Sequence, residues 1–402
     1  MKKVALLLSI LLTAHGYAQL KPTKHHVHFE LGSGLNFAFN DSAYMFRISG
    51  MVQPFIGFEK IPETDAGYFF NSRRSYFNFS GVAVKEKVDF FIQLDYSRPD
   101  ALLDAWVGYH PFNGFSIVFG QKQNIANNRE MLFMEDQLQF IERSLLSTEF
   151  SRTGREFGIF IEQKIGQRFG IVPQVSFTSG DGRNSFGADS RDLDIGGFKY
   201  SARLDVYPFG YFTPGNDNLV ADLMHEAKPK ILLGVAGSYN DGASEAVGEG
   251  HGDFMLYDSQ GAIRQPDYRQ LYGDILIKFR GFSLLGEYNV STATDLEGSF
   301  KAVNGDALLP TEISQFLALG TGYNVQLGYA TKNGYAADFR YSVVMPEFDN
   351  ANSIVQDING WTVGLAKYFK GNNLKIHAAI SSYNYPQMDN TLLGELLFQV
   401  VF

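Results

Sequence analysis

The stretch TLLGELLFQVVF, Thr391–Phe402, decides the fold. Leu396, Phe398, Val400 and Phe402 share one parity; Glu395, Leu397, Gln399 and Val401 share the other. Side chains alternate faces along a strand, so this segment has one wholly apolar face and one mixed face. Chain ends usually fray unless they are tied down. A last strand is tied down when it pairs on both edges and lays its apolar face against lipid, as in a closed membrane barrel. The expectation is an all-β chain forming a transmembrane antiparallel β-barrel, with the earlier segments as its other strands.

Composition allows this without requiring it. Phe (36) and Tyr (21) are abundant while Trp is scarce (2), and charged residues make up 19%, below the usual quarter. Mean hydropathy is −0.12, as expected where apolar and polar positions alternate, and a soluble all-β sandwich would look similar. The absence of cysteine excludes a disulfide framework, a thiolate metal site and a cysteine nucleophile.

The amino terminus adds a compartment. A basic Met1-Lys2-Lys3, an apolar run from Val4 to Thr13 and the small-residue step Gly16-Tyr17-Ala18 read as a signal peptide over 1–18, cleaved after Ala18. The run is too short to span a bilayer. Later alternating strands and no long apolar run point to the outer membrane of a diderm bacterium. The formal charge is −9; residues 1–18 carry two lysines and no acid, so the remainder carries −9 − 2 = −11. That argues against nucleic acid as a partner.

Residues 19–42 read as a short periplasmic lead. His25, His26 and His28 crowd there without a fourth ligand, as in an exposed polar tail, and Val27, Phe29 and Leu31 alternate as in a brief extra strand. Residues 43–402 read as the barrel. Phe46, Ile48, Gly50 and Val52 oppose Arg47, Ser49, Met51 and Gln53; Leu103, Ala105 and Val107 oppose Asp104 and Trp106; Tyr200, Ala202 and Leu204 oppose Lys199, Ser201 and Arg203. The tally is about 16 strands. Tight connections such as 85–87, 166–168 and 371–373 alternate with long ones such as 123–154, 240–267 and 291–320. Short periplasmic turns with long outer loops are the barrel pattern. The connection 208–228 breaks it, and Leu219, Val220, Leu223 and Met224 suggest a small amphipathic helix there.

The third outer connection, 123–154, is far longer than a hairpin needs. It carries Met131, Leu132, Phe133, Phe140, Ile141, Leu146 and Phe150 among charges. A loop exposed to water has no use for such anchors, so it is expected to fold into the lumen and constrict it.

Several segments resemble the phosphate-selective porin O/P family. They are Arg73-Arg74-Ser75-Tyr76-Phe77, Leu103-Asp104-Ala105-Trp106-Val107-Gly108-Tyr109, Phe119-Gly120-Gln121-Lys122, Phe133-Met134-Glu135, Ile141-Glu142-Arg143-Ser144-Leu145 and Gly154-Arg155-Glu156-Phe157-Gly158. The resemblance implies a sixteen-stranded homotrimeric porin whose third loop enters the pore, whose inward cations guide anions such as phosphate, and whose terminal Phe402 signals to the barrel-assembly machinery.

Selectivity in such a channel comes from constriction and charge. The candidate anion path is Lys122, Arg129, Arg143, Arg152 and Arg155 at the loop, with Arg47, Arg74, Lys199, Arg203 and Arg340 on the wall. For each, the alternative is a solvated charge or an ion pair that fixes the loop, with Glu135, Glu142, Asp104 and Glu162 as partners. Inward acids at Asp89, Asp95, Asp205, Asp274, Glu287, Asp338 and Glu395 prevent a ladder of one sign.

The leading expectation is therefore a porin for passive diffusion of small solutes, anions first. The alternatives are a non-conducting structural or adhesin barrel, and a barrel enzyme such as a phospholipase. Against the enzyme, no Gly-x-Ser-x-Gly occurs and His110, His225, His251 and His377 are scattered. No cofactor or metal is expected: the acids at Asp181, Asp189, Asp192 and Asp194 lack a calcium-loop spacing. The outer-membrane lipid is the remaining partner.

Overall fold

The computed structural model describes residues 26–40, 42–84, 86–99, 101–152, 154–179, 196–248, 252–294, 298–386 and 390–402. The signal segment 1–18, His25, His251 and the acidic stretch around 181–194 lie outside these residues.

Sixteen strands close into an antiparallel barrel. They are β3 (Tyr44–Lys60), β4 (Gly67–Ala83), β5 (Val88–Asp95), β6 (Leu102–Tyr109), β7 (Phe115–Gln123), β8 (Arg155–Gln163), β9 (Gly170–Thr178) and β10 (Lys199–Tyr207). The second half is β11 (Lys230–Asn240), β12 (Asp267–Phe279), β13 (Phe282–Thr294), β14 (Gly320–Ala330), β15 (Tyr335–Pro346), β16 (Ile358–Tyr368), β17 (Leu374–Asn384) and β18 (Thr391–Val401). Each strand pairs with the next, and β18 returns to β3, Leu397 opposite Phe55 and Val400 opposite Val52. Phe402 completes the seam: its N–H donates to the Gly50 carbonyl at 2.8 Å, and its carbonyl accepts from the Gly50 N–H at 2.6 Å.

The expected alternation holds along these strands. Gln53, Gln93, Lys199, Arg203, Asp274, Glu287 and Gln399 are buried inward, whereas Phe119, Val175, Val235, Leu327 and Leu365 are exposed outward. An apolar exterior around a polar interior is stable only with lipid outside. Exposed Phe282, Tyr335, Phe369 and Phe402 stand where strands meet the short turns; Tyr200, Tyr288, Tyr323 and Trp361 stand farther up. Aromatic side chains at both rims suit a bilayer interface.

Two bulges depart from strict alternation. Between β5 and β6 the register shifts at Gln93, so Leu103 joins Asp104 inside instead of facing lipid, and packs with Met51, Tyr76 and Val401. Between β3 and β4, Val52 pairs with Ser75 but Pro54 with Ser72. Arg73 and Arg74 together oppose Gln53, and both turn into the lumen.

The lead is more than a tail. β1 (His26–Glu30) and β2 (Gly34–Phe39) form a hairpin, and β2 pairs with Tyr44–Ile48 of β3, just below the end of β18. The segment expected to contain a small helix, between β10 and β11, has turns and no helix.

Candidate pore constriction

The third loop, L3, runs from β7 to β8 and lies inside the barrel. It contains two short helices, α1 (Arg129–Leu132) and α2 (Leu145–Phe150). Leu146 and Phe150 of α2 lie against Gly322 of β14, where an added Cβ would sit 3.1 Å from the Phe150 ring. Ile141 packs with Phe55, Ala379 and Leu397, and Phe133 with Leu232, Leu276 and Leu285 on the opposite wall. L3 therefore reaches across the lumen.

Ion pairs and carbonyl contacts moor it. Arg74 donates to Glu142 (3.1 Å), Gln53 and the Ile141 carbonyl. Arg129 donates to Asp205 and Asp274, and Arg203 to the same two acids and to the carbonyls of Ile125 and Asn127. Arg143 pairs with Glu135 at 2.9 Å and donates to the carbonyls of Glu130 and Phe133. Arg155 pairs with Glu135 at 3.1 Å and Asp104 at 3.2 Å. Lys199 meets Glu156 at 2.6 Å. Arg340 lies 3.5 Å from Glu130, donates to the Glu142 carbonyl and covers the Phe140 ring. These seven cations are all buried.

The other three candidates differ. Lys122 is half-buried, with its ammonium 5.3 Å from the centre of the Phe160 ring. Arg152 is 36% exposed and 3.7 Å from Glu245 of an outer loop. Arg47 is exposed beside the β1–β2 hairpin and donates to Asn36 at 2.9 Å. The structure thus does not gather the ten into one array.

Further residues belong to the constriction. Arg73 keeps 25% of its side chain exposed and pairs with Glu142 (2.8 Å) and Glu395. Lys375 donates to the carbonyls of Asp136 and Leu138. Glu130 accepts from Ser144, Ser147 and Gln326. The Arg73-Arg74 pair was visible in the sequence, but simple alternation assigns only one of two neighbours to the lumen.

Two adjacent L3 carboxyls are tuned in opposite directions. Burial works against the charge of Glu135, but Arg155 and Arg143 outweigh it and hold its carboxyl well below the usual range. At Asp136 burial wins: its carboxyl is pushed up to about 6, Lys375 opposing and the Glu135 charge reinforcing the rise.

No family model and no curated protein matches the sequence. Solved structures match the architecture over most of the chain, OprB and an anion-selective porin among them. OprB of Pseudomonas putida is 10% identical, with 89% of this chain and 94% of that one covered and a TM-score of 0.52. An anion-selective porin from Comamonas acidovorans is 9% identical, with 89% and 100% covered and a TM-score of 0.54. The fold is that of a porin. At such identity the likeness concerns architecture alone, and selectivity has to be argued from the side chains.

Proposed function

We propose that the protein is an outer-membrane porin through which small solutes diffuse passively, with L3 as its constriction. The observation that carries this reading is L3 itself: a long loop held inside a sixteen-stranded barrel by buried ion pairs, where a channel needs a narrow point. The motifs that resemble the phosphate-selective porin family support it. We assign the preference for anions such as phosphate to Arg47, Arg73 and Lys122, which keep contact with water. Six of the seven buried cations hold L3, and Lys199 ties Glu156 of β8 to the Val247 carbonyl of an outer loop. Assembly as a homotrimer, with Phe402 recognised by the barrel-assembly machinery, belongs to the same proposal.

Purified protein in planar bilayers tests it. Discrete conductance steps are expected, with a reversal potential of anion sign in a KCl gradient and block by added phosphate; a cation-sign potential would sink the anion assignment. The burial of Arg74, Gln93, Asp104 and Arg155 at the level of L3 favours one second reading, a non-conducting barrel. Absence of any conductance from folded protein would establish that instead. An enzymatic role has less support: the lumen-facing His377 is buried and its Nε2 has no hydrogen-bond partner, so it activates no serine among the described residues.

A further inference from the structure

The connection between β10 and β11, residues 208–229, does not hang into the periplasm. It turns up into the barrel from the end opposite L3. Phe212 and Val220 pack with Phe133 of L3 and with Leu232, Leu276 and Leu285 of the wall, and Val220 is fully buried. Lys278 of β12, also fully buried, donates to the carbonyls of Asn216 and Leu219. Asp222 accepts from the Gly281 N–H in the β12–β13 turn at 2.7 Å. Leu223 reaches Ala330, Ala336 and Ala366, three small inward residues of β14, β15 and β16.

The same side of the lumen is filled from above. Outer-loop residues including Val247, Leu256, Leu317 and Val355 form one apolar cluster with Leu146 and Phe150 of L3. On the other side the lumen stays wet towards the periplasm: Asp89, Ser116, Lys122 and Glu162 are only half-buried. A cavity of about 480 Å³ opens beside Ser116 and Glu162.

We propose that 208–229 is a second constriction, entering from the periplasmic end and interlocked with L3, which closes the β11–β16 half of the lumen and confines solutes to the half walled by β3–β9. The proposal rests on the channel reading for its solutes, but the cover itself can be tested without conduction. The apolar contacts to Phe133 and the carbonyl grip on Lys278 make the segment part of the packed interior. Apolar residues in a 22-residue turn segment gain nothing from water and are stabilised by this burial.

The chain contains no cysteine, so single introduced thiols report without background. Ser116→Cys and Ala336→Cys are each made in the full chain and in a chain with 212–226 replaced by a short Gly-Ser turn. A charged, membrane-impermeant thiol reagent supplied from the periplasmic side is expected to modify Ser116→Cys in both backgrounds. It should modify Ala336→Cys at least tenfold faster when the segment is shortened. Equal rates at Ala336→Cys in both backgrounds overturn the proposal. Should the shortened chain fail to fold, Lys278→Met in the full chain takes its place, with the same acceleration expected and an unchanged rate overturning the idea. Single-channel conductance separates the two readings. A rise of twofold or more on shortening supports both, and unchanged conductance in a conducting barrel overturns the second constriction alone. Silence from both proteins overturns the channel reading and, with it, the confinement of solutes.

Discussion

Glu135 shows how a loop can be fixed inside a water-filled barrel. It faces Arg143 and Arg155, and it is buried. Removing one partner of a buried pair costs about 3–5 kcal/mol, because the other charge is left behind. Glu135→Gln should lower the melting temperature in detergent and raise the conductance as L3 loosens; an unchanged melt would show that the carbonyl contacts of Arg143 suffice. The neighbouring Asp136 gives a pH signature of opposite sense. Its folded-state pKa of about 6 lies above its ordinary 3.8, so its contribution to stability is full below 3.8 and is lost as pH rises to about 6. Glu135, held low, contributes above its ordinary 4.5 and loses that contribution only as pH falls through its depressed value. Melting temperature measured from pH 4 to 7 should therefore fall through the Asp136 window, and Asp136→Asn should flatten that fall.

Among the elements, the β3–β4 bulge and the amino-terminal hairpin do the least predictable things. The bulge sets Arg73 and Arg74 against one residue, Gln53, and bends two arginines towards Glu142. Deleting Arg73 would restore one-to-one pairing and leave Ser72 opposite Pro54, so the side chains beyond it keep their faces. The outward Tyr68 and Phe70, 77% and 78% exposed, would stay towards lipid, and the contacts of Arg73 to Glu142 and Glu395 would be lost. Cold gel electrophoresis should find a folded band for that deletion as well as for Arg73→Ala; loss of the band for the deletion alone would show that folding needs the bulge itself. The hairpin has a different task. Below Phe402, Tyr44–Ile48 of β3 would present an open edge, and β2 covers it. Open edges invite pairing with other chains, so deleting 26–39 should increase aggregation during refolding, read by light scattering. The outward Val27, Phe29 and Leu35 explain why a lead with histidines is nonetheless a strand pair: they continue the apolar exterior that begins in β3.

For the molecule as a whole, closure depends on a short seam. Phe402 contributes two backbone hydrogen bonds to Gly50, each worth about 1 kcal/mol net. Deleting it should reduce the yield of folded barrel while leaving the conductance of the barrels that do form near the parent value. Normal yield would count against any part for Phe402 in assembly. The interior, in turn, is filled unevenly. L3, the outer loops and 208–229 pack the side of β11–β16, and the polar, half-buried side chains gather on the side of β3–β9.

Period-two alternation, read with the strand count, the short and long connections in turn and the export signal, determined the barrel. It fixed which face of nearly every strand meets lipid, and Thr391–Phe402 as the closing strand, because side-chain parity is local and lipid outside admits only one choice. Length and apolar anchors also marked L3 as an inward loop; the same two signals at 208–229 suggested a helix instead, since apolar spacing alone does not say whether a partner lies above the turn. What only the tertiary structure decided is the work of the charges. Whether Arg129 or Arg203 guides a solute or holds a loop depends on an acid more than 70 residues away, such as Asp274. Bulges at Gln53 and Gln93 likewise depend on how two strands are paired. Parity is written along one strand, whereas an ion pair and a bulge exist only between elements that the fold has brought together.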